Sequence, residues 1–236
     1  MVALYRVDLP ASALGVEIGP ASAQEVLARR PDQYAVLDGP MFDSRGPQYC
    51  LRDRARGIDI ASRFPSRGAI ICVVAGRAQA RRGGMPMAGS TVCVQGYPSL
   101  VEAGVVVATR TRDTELVGRA AVVLRRDGNV SLVAARAASM FDFAEALADQ
   151  LDAEWAIYTD GGSSTALVTR ETSMLDLAQK RLPSWIVARR DPGLPVLSDD
   201  PNPNPTTAPG GIHPLVLAGG AIAAGAALYW LFGDDD

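Results

Sequence analysis

Tyr158-Thr159-Asp160-Gly161-Gly162-Ser163-Ser164-Thr165 sets one carboxylate ahead of two glycines and three hydroxyl residues. Apolar runs flank it, Trp155-Ala156-Ile157-Tyr158 before and Thr165-Ala166-Leu167-Val168-Thr169 after, each suited to a buried strand. The loop therefore joins strand to strand and presents Asp160 at a strand end. Two readings of it stay open. Glycines let a ligand approach the backbone and let consecutive amides face an anion, with the hydroxyls as donors and acceptors. The same residues are also ordinary formers of a hairpin turn. The segment has no Gly-Lys-Ser/Thr ending and no GxGxxG pattern, so it is not a nucleotide-binding glycine loop.

Composition narrows the chemistry available to such a loop. The 236 residues are 48% hydrophobic, enough for one domain with a substantial core and appendages. With 23 basic and 26 acidic residues the net charge is -3, which argues against a nucleic-acid partner held by its phosphates. Lys180 is the only lysine. The arginine bias suits phosphate and carboxylate recognition, and a GC-rich genome produces it equally well. Cys50, Cys72 and Cys93 are too few and too far apart for a disulfide framework or a four-cysteine metal site, and read as reduced core thiols. The single histidine, His213, lies beyond the globular part, so a Ser-His-Asp triad, a Cys-His pair and a His-ligated zinc all lack their histidine. Carboxylates must then act as acid and base, with arginines as electrostatic partners. No metal and no cofactor are expected.

Upstream of the loop, Ser22 and Glu25 form a capping-box pattern that predicts a helix from about Ser22 to Arg29, stopped by Pro31. Tyr34-Ala35-Val36-Leu37 reads as a strand delivering Asp38-Gly39-Pro40-Met41-Phe42-Asp43, a second strand-end segment with two carboxylates. Residues 43–64 are rich in arginine and read as an irregular surface excursion. Gly68 to Ala75 is of strand length, and Gln79 to Pro86 reads as a connection. Val92 to Val107 predicts a strand, a Gly/Pro turn and a further strand after Gly104, with Glu102 near the turn. Arg119 to Ala134 is the clearest hairpin, with Asp127-Gly128 at its tip. Ser139 and Asp142 open an amphipathic helix. Ser173 to Arg181 suggests one more short helix, and Trp185-Ile186-Val187-Ala188 a last strand. The fold class expected is α+β: a single strand-rich, mixed domain over 1–190 with a few helices.

After Arg190 the character changes. Residues 191–214 are rich in proline, asparagine and aspartate, the composition of an extended linker. Residues 215–232 carry no charge and span roughly 27 Å as a helix, just enough for a bilayer core. They are expected to form one C-terminal hydrophobic helix that anchors the protein in a membrane as a single pass, with 233–236 as an acidic tail. Ala221 and Gly225, four apart, allow close helix pairing and hence a homo-oligomer. The N-terminus lacks the basic start and apolar run of a secretory signal, so the main domain is expected in the cytoplasm.

In order and spacing, Asp38-Gly39-Pro40-Met41-Phe42-Asp43, Pro98-Ser99-Leu100-Val101-Glu102-Ala103-Gly104, Arg119-Ala120-Ala121-Val122, the helix after Ser139 and Asp160-Gly161-Gly162-Ser163-Ser164 resemble the phosphodiester glycosidase family over about residues 34–170. That family's pattern has asparagine where Asp38 stands, glycine at Pro40, phenylalanine at Met41 and a third glycine at Ser163. The resemblance implies a hydrolase of sugar-1-phosphodiesters, with a sugar phosphodiester or glycan as its ligand. The implied catalytic set is Asp160, Arg119, Asp38, Asp43 and Glu102, and the implied substrate-binding set is Gly39, Gly161, Gly162, Ser163 and Ser164. Arg119 would hold the phosphate, and the amides of Gly161 to Ser164 an oxygen of phosphate or sugar. Among Asp160, Asp38, Asp43 and Glu102 the roles of nucleophile, base and acid stay unassigned. The altered Asp38-Gly39-Pro40-Met41 segment keeps a second class open: a non-catalytic glycan-binding or structural module on the same fold.

Overall fold

The computed structural model describes residues 2–110, 114–178 and 181–190. The linker expected at 191–214, the hydrophobic helix at 215–232, the tail and His213 lie outside the described residues. Strands β1 (Tyr5–Leu9) and β2 (Leu14–Ala21) lead to helix α1 (Ala23–Arg29). The expected capping box is present: Ser22 Oγ accepts from the Glu25 amide and Glu25 accepts from the Ser22 amide. Then follow β3 (Gln33–Asp38), a small hairpin of β4 (Phe42–Asp43) and β5 (Gly46–Pro47), β6 (Leu51–Asp53) and β7 (Ile58–Ile60). The middle of the chain forms β8 (Ala69–Val74), β9 (Arg77–Arg82), β10 (Ser90–Gly96), β11 (Ser99–Glu102) and β12 (Val105–Val106). The expected long hairpin is β13 (Val117–Arg125) and β14 (Val130–Ala138). Helix α2 (Met140–Leu151), capped by Ser139, precedes β15 (Ala153–Tyr158), β16 (Ala166–Thr169), β17 (Ser173–Asp176) and β18 (Leu182–Arg189).

These strands make three antiparallel sheets around one core. Their orders are β1-β14-β13-β15-β11-β12, β7-β6-β10-β8-β9 and β17-β16-β3-β18-β2, beside the small β4-β5 ribbon. Side chains alternate across a strand, so each sheet has an inner and an outer set. In β13, Ala120, Val122 and Leu124 join the shared core with Leu37, Ile71, Val94 and Ile186 from the other sheets. Ala121 and Val123 of the same strand face the cluster built with Phe143 and Leu147 of α2. Helix α1 covers the third sheet in the same way, through Val26 and Leu27 against Val36 and Val187. Burial on both faces explains why these antiparallel strands read as unbroken apolar runs rather than as alternating ones. The chain is thus α+β, strand-rich with two helices among the described residues, and none of these helices is long and apolar enough to cross a membrane.

Four local expectations are corrected. Ser173 to Asp176 is strand β17, not the start of a helix: it pairs with β16 as Leu167 to Leu175, where an open sheet edge supplies the backbone partners that a very short helix cannot supply itself. Gln79 to Arg82 belongs to strand β9, paired along β8, rather than to a connection. The excursion over 43–64 contains the β4-β5 ribbon and the β6-β7 pair. Cys72 and Cys93 form a disulfide, because the β8-β10 register sets them opposite each other with Cα atoms 4.1 Å apart, and Cys50 alone is a free, buried thiol. A sequence separation of 21 hides such a cross-strand pair.

Candidate active site

Residues 159–165 leave the end of β15 in one sheet and enter β16 in another, so the glycine loop is a crossing between sheets and not a hairpin turn. Three groups from two strands fix it. From β13, Ala120 O accepts the Thr159 amide at 3.1 Å; from the end of β3, Gly39 O accepts the Asp160 amide at 3.1 Å. The third anchor is Asp38 itself. Its Oδ2 accepts from Thr159 Oγ1 at 2.8 Å, the Asp160 amide at 3.2 Å and the Gly161 amide at 3.3 Å. Its Oδ1 accepts from the Ala166 amide at 3.1 Å. Asp38 is fully buried, and burial pushes its carboxyl up to about 7 despite these donors, with the charge of Asp160 adding to the rise. Both of its oxygens are engaged by the loop, so its geometry is that of an internal clamp.

Clamping in this way sets the rest of the loop. Gly161 takes φ 64 and ψ -162, a conformation for glycine alone, and a Cβ there would collide with the Tyr158 hydroxyl. A short 3-10 turn, Gly162–Ser164, follows, in which the Ser164 amide returns to Gly161 O and the Thr165 amide to Gly162 O. Among the described residues the amides of Gly162 and Ser163 have no backbone or side-chain acceptor, and Ser163 is exposed. Asp160 is half-buried beside them. Two adjacent backbone donors without acceptors beside a half-buried carboxylate are groups that could bond a ligand oxygen.

Arg119, at the start of β13, is almost wholly buried at 3% exposure. Its Nε donates to Ala138 O at 3.0 Å, one Nη to Glu115 O at 2.9 Å and the other to the Tyr158 hydroxyl at 3.3 Å, with the guanidinium 5.8 Å from the Tyr158 ring centre. Burial pushes the Tyr158 phenol up to about 12, against the pull of Arg119. Tyr158 therefore stays neutral between the arginine and the loop. Gly39 plays a packing part: its amide donates to Ser184 O at 3.2 Å, and a side chain there would strike Ser184.

Asp38, Gly39, Arg119, Asp160, Gly161, Gly162, Ser163 and Ser164 thus come together. Glu102 does not join them, and Asp43 is engaged by an arginine of its own. Arg63 holds Asp43 through two bonds of 2.8 and 3.0 Å, and this pairing, with the Arg45 amide, takes the Asp43 carboxyl well below the usual range. Glu102 pairs with Arg82 near the β11-β12 turn, where the Gly104 amide meets Glu154 O at 2.8 Å. From Glu154 to Asp160 the strand runs roughly 20 Å at ~3.3 Å per residue. Tyr158 and Thr159 are site residues that motif reading passes over. Their signal is only that a strand-end aromatic and a hydroxyl precede the acidic loop. Among the described residues no three His, Cys, Asp or Glu side chains gather as metal ligands.

A family model described as phosphodiester glycosidase matches residues 33–189, from the first residue of β3 to the last of β18. The chain belongs to the phosphodiester glycosidase family. No curated protein sequence matches it. Among solved structures it is similar to the zebrafish N-acetylglucosamine-1-phosphodiester alpha-N-acetylglucosaminidase catalytic domain, auto-inhibited by its pro-peptide, with a TM-score of 0.57 and 14% identity over 80% of this chain and 73% of that one. A Burkholderia pseudomallei protein described as exported gives a TM-score of 0.54 at 12% identity, covering 80% of this chain and 71% of its own. At such identities the structures speak for the fold, and the family match makes the chain a hydrolase of the phosphodiester glycosidase type.

Proposed function

We propose that this phosphodiester glycosidase cleaves the bond between a sugar C1 and a phosphate oxygen, with Asp160 as the carboxylate that acts at the reacting centre. The observation that carries this reading is the division of labour between two carboxylates. Asp38 gives both oxygens to the loop, and Asp160 stands half-buried at the head of the glycine turn, beside Gly162 and Ser163. The group expelled from C1 is a phosphate monoester with a second pKa of about 6, so it departs as an anion with little help from an acid. Asp160 takes a proton from the water that attacks C1, while the C1–O electrons pass to the phosphate. Charge gathering there meets the two amides and the field of the buried Arg119. Arg119 and Tyr158 work as fixed supports of the loop end. Asp43 and Glu102 have no part in this scheme, since their partners are Arg63 and Arg82.

Tethering through 215–232 and pairing through Ala221 and Gly225 belong to the same reading, supported by the uncharged run in the sequence. The Cys72–Cys93 bridge favours an oxidising compartment for the domain over the cytoplasm. The test of the activity is release of free sugar from N-acetylglucosamine 1-phosphate methyl ester, followed by proton NMR. Turnover that first yields the inverted anomer supports a water activated by Asp160. Absence of turnover across a panel of sugar-1-phosphodiesters defeats the reading.

A further inference from the structure

Gly118 stands one place before Arg119 in β13 and is buried. Here two steps along β13, Val117 to Arg119, match three along β14, Ala138 to Ala135, so β14 carries a bulge. A bulge bends the ladder and re-aims the side chains beside it. Next to this one, Arg119 Nε meets Ala138 O at 3.0 Å.

The loop that crosses between sheets leans on Gly118. A Cβ at Gly118 would stand 2.6 Å from Thr165 Oγ1, 2.9 Å from Gly162 O and 2.9 Å from Leu177 Cδ1. In turn, a Cβ at Gly161 would stand 3.2 Å from Gly118 O. Both ends of the short turn therefore rest on this one residue. Neither end can swing aside freely. Gly162 O accepts the Thr165 amide at 3.3 Å and closes the turn. Thr165 O accepts the Leu177 amide at 2.8 Å, and the next amide along, that of Ala166, is held by Asp38 Oδ1 at 3.1 Å. Thr165 Oγ1 is buried with no hydrogen-bond partner among the described residues, so packing against β13 places it, not a bond.

Gly118 and Gly161 are glycines for different reasons. Gly161 needs its positive φ, whereas Gly118 lies outside the left-handed region, so that only its missing side chain matters. Ordinary non-bonded separation is about 3.5 Å, and a methyl group at 118 would push the turn by roughly half an ångström. A misplacement of about 1 Å at reacting groups costs about 100-fold in rate.

We infer that Gly118 is a positioning residue for the proposed hydrolysis: lacking a side chain, it seats the 162–164 turn against β13 and so sets where the Gly162 and Ser163 amides stand relative to Asp160. This rests on the proposed reading of Asp160. Gly118 itself touches no reacting atom.

The test compares Gly118→Ala with Val73→Ala, a cavity in the core beneath another sheet, on N-acetylglucosamine 1-phosphate methyl ester. Gly118→Ala is expected to lower kcat about 30-fold with KM within about threefold, and Val73→Ala to lower the melting midpoint with kcat within about twofold. A kcat within threefold of normal in Gly118→Ala, or an equal loss in Val73→Ala, overturns the assignment. Amide hydrogen exchange gives a readout apart from turnover. The Ser164 and Thr165 amides, which bond Gly161 O and Gly162 O, are expected to exchange at least about 10-fold faster in Gly118→Ala, while the Thr159 amide, held by Ala120 O, keeps its protection. Unchanged exchange at those two amides overturns the seat whatever the rates. If the unmodified protein cleaves no ester, the activity reading fails by itself, and exchange alone then decides whether Gly118 seats the turn. Should Gly118→Ala not fold, the double variant Gly118→Ala with Thr165→Ala, which removes the nearest of the three crowded atoms, takes its place in both measurements.

Discussion

Asp38 and Asp53 are both completely buried carboxylates, and they are satisfied in opposite ways. Asp53 sits at the end of β6 against Arg189 of β18, with Arg56 3.9 Å away and the Val16 amide of β2 donating at 3.2 Å. Beside it Glu17 accepts from Arg56, from Arg30 at 3.2 Å and from Gln33 at 2.9 Å. Charge there is balanced within the protein, and the network ties β2 and β18 of one sheet to β6 of another. Asp38, by contrast, is held by one hydroxyl and three amides, all neutral. Neutral donors fix its position and leave its charge uncompensated beside Asp160. The ionic cluster is a closed joint between sheets, whereas the Asp38 clamp holds the loop of the proposed site through neutral donors alone.

The comparison breaks most visibly if the wrong carboxylate turns out to matter for turnover. Asp160→Asn is expected to lower kcat about 10³-fold with little change in melting temperature. Turnover within tenfold of normal in that variant would remove Asp160 from the mechanism. Asp53→Asn is expected to do the reverse: a loss of about 3 kcal/mol, chiefly from an Arg189 left without its buried carboxylate, or roughly 10 °C in midpoint, with turnover per folded molecule retained. Thermal melts and active-site-normalised rates on the same preparations separate the two effects.

The site half of this comparison was far more legible than the joint. Asp160, Gly161 and Gly162 are contiguous, and a carboxylate-glycine stretch between two apolar runs announces itself without any tertiary information. The helix of Ser22 and Glu25 and the β13-β14 hairpin rest on caps and turns, which are local chemistry too. What sequence could not supply was pairing at a distance. Asp53, Glu17 and Arg189 meet only through the packing of two sheets, Cys72 and Cys93 only through the β8-β10 register, and Ser173 to Asp176 becomes a strand only because β16 offers it an edge. The same blindness explains Glu102: it follows a recognisable motif in the chain, yet it lies toward the other end of β15 from Asp160. It also hides the clamp at Asp38, whose four donors lie far along the chain at Thr159, Asp160, Gly161 and Ala166.

A third break point is the disulfide, which has no counterpart near the loop. Unfolding without reductant is expected to expose one reactive thiol, that of Cys50, and unfolding with reductant three. Replacing Cys72 and Cys93 by serine is expected to cost about 3 kcal/mol, since the bridge closes a loop of moderate length. A thiol count of three in native, unreduced protein purified from its own host would place the domain in a reducing compartment and return it to the cytoplasm.

The smallest effect tests whether the Asp38 clamp is electrostatically open in the way the comparison requires. Its carboxyl, pushed up to about 7, binds a proton more tightly in the folded protein than in the unfolded chain. The stability this contributes is complete below the unfolded value near 3.8 and is lost as pH rises through about 7. The loop has the opposite need, because a protonated Asp38 cannot accept from all four of its donors. Ionisation therefore orders the loop while it costs global stability. Between pH 6 and 8 the ionised fraction of such a group rises about tenfold, so kcat/KM is expected to climb by up to about tenfold while the urea midpoint falls. Asp38→Asn should flatten both profiles together, since its side chain carries no titrating proton. A rate profile that keeps its slope in the asparagine variant would assign the titration to another group and leave Asp38 as closed a joint as Asp53.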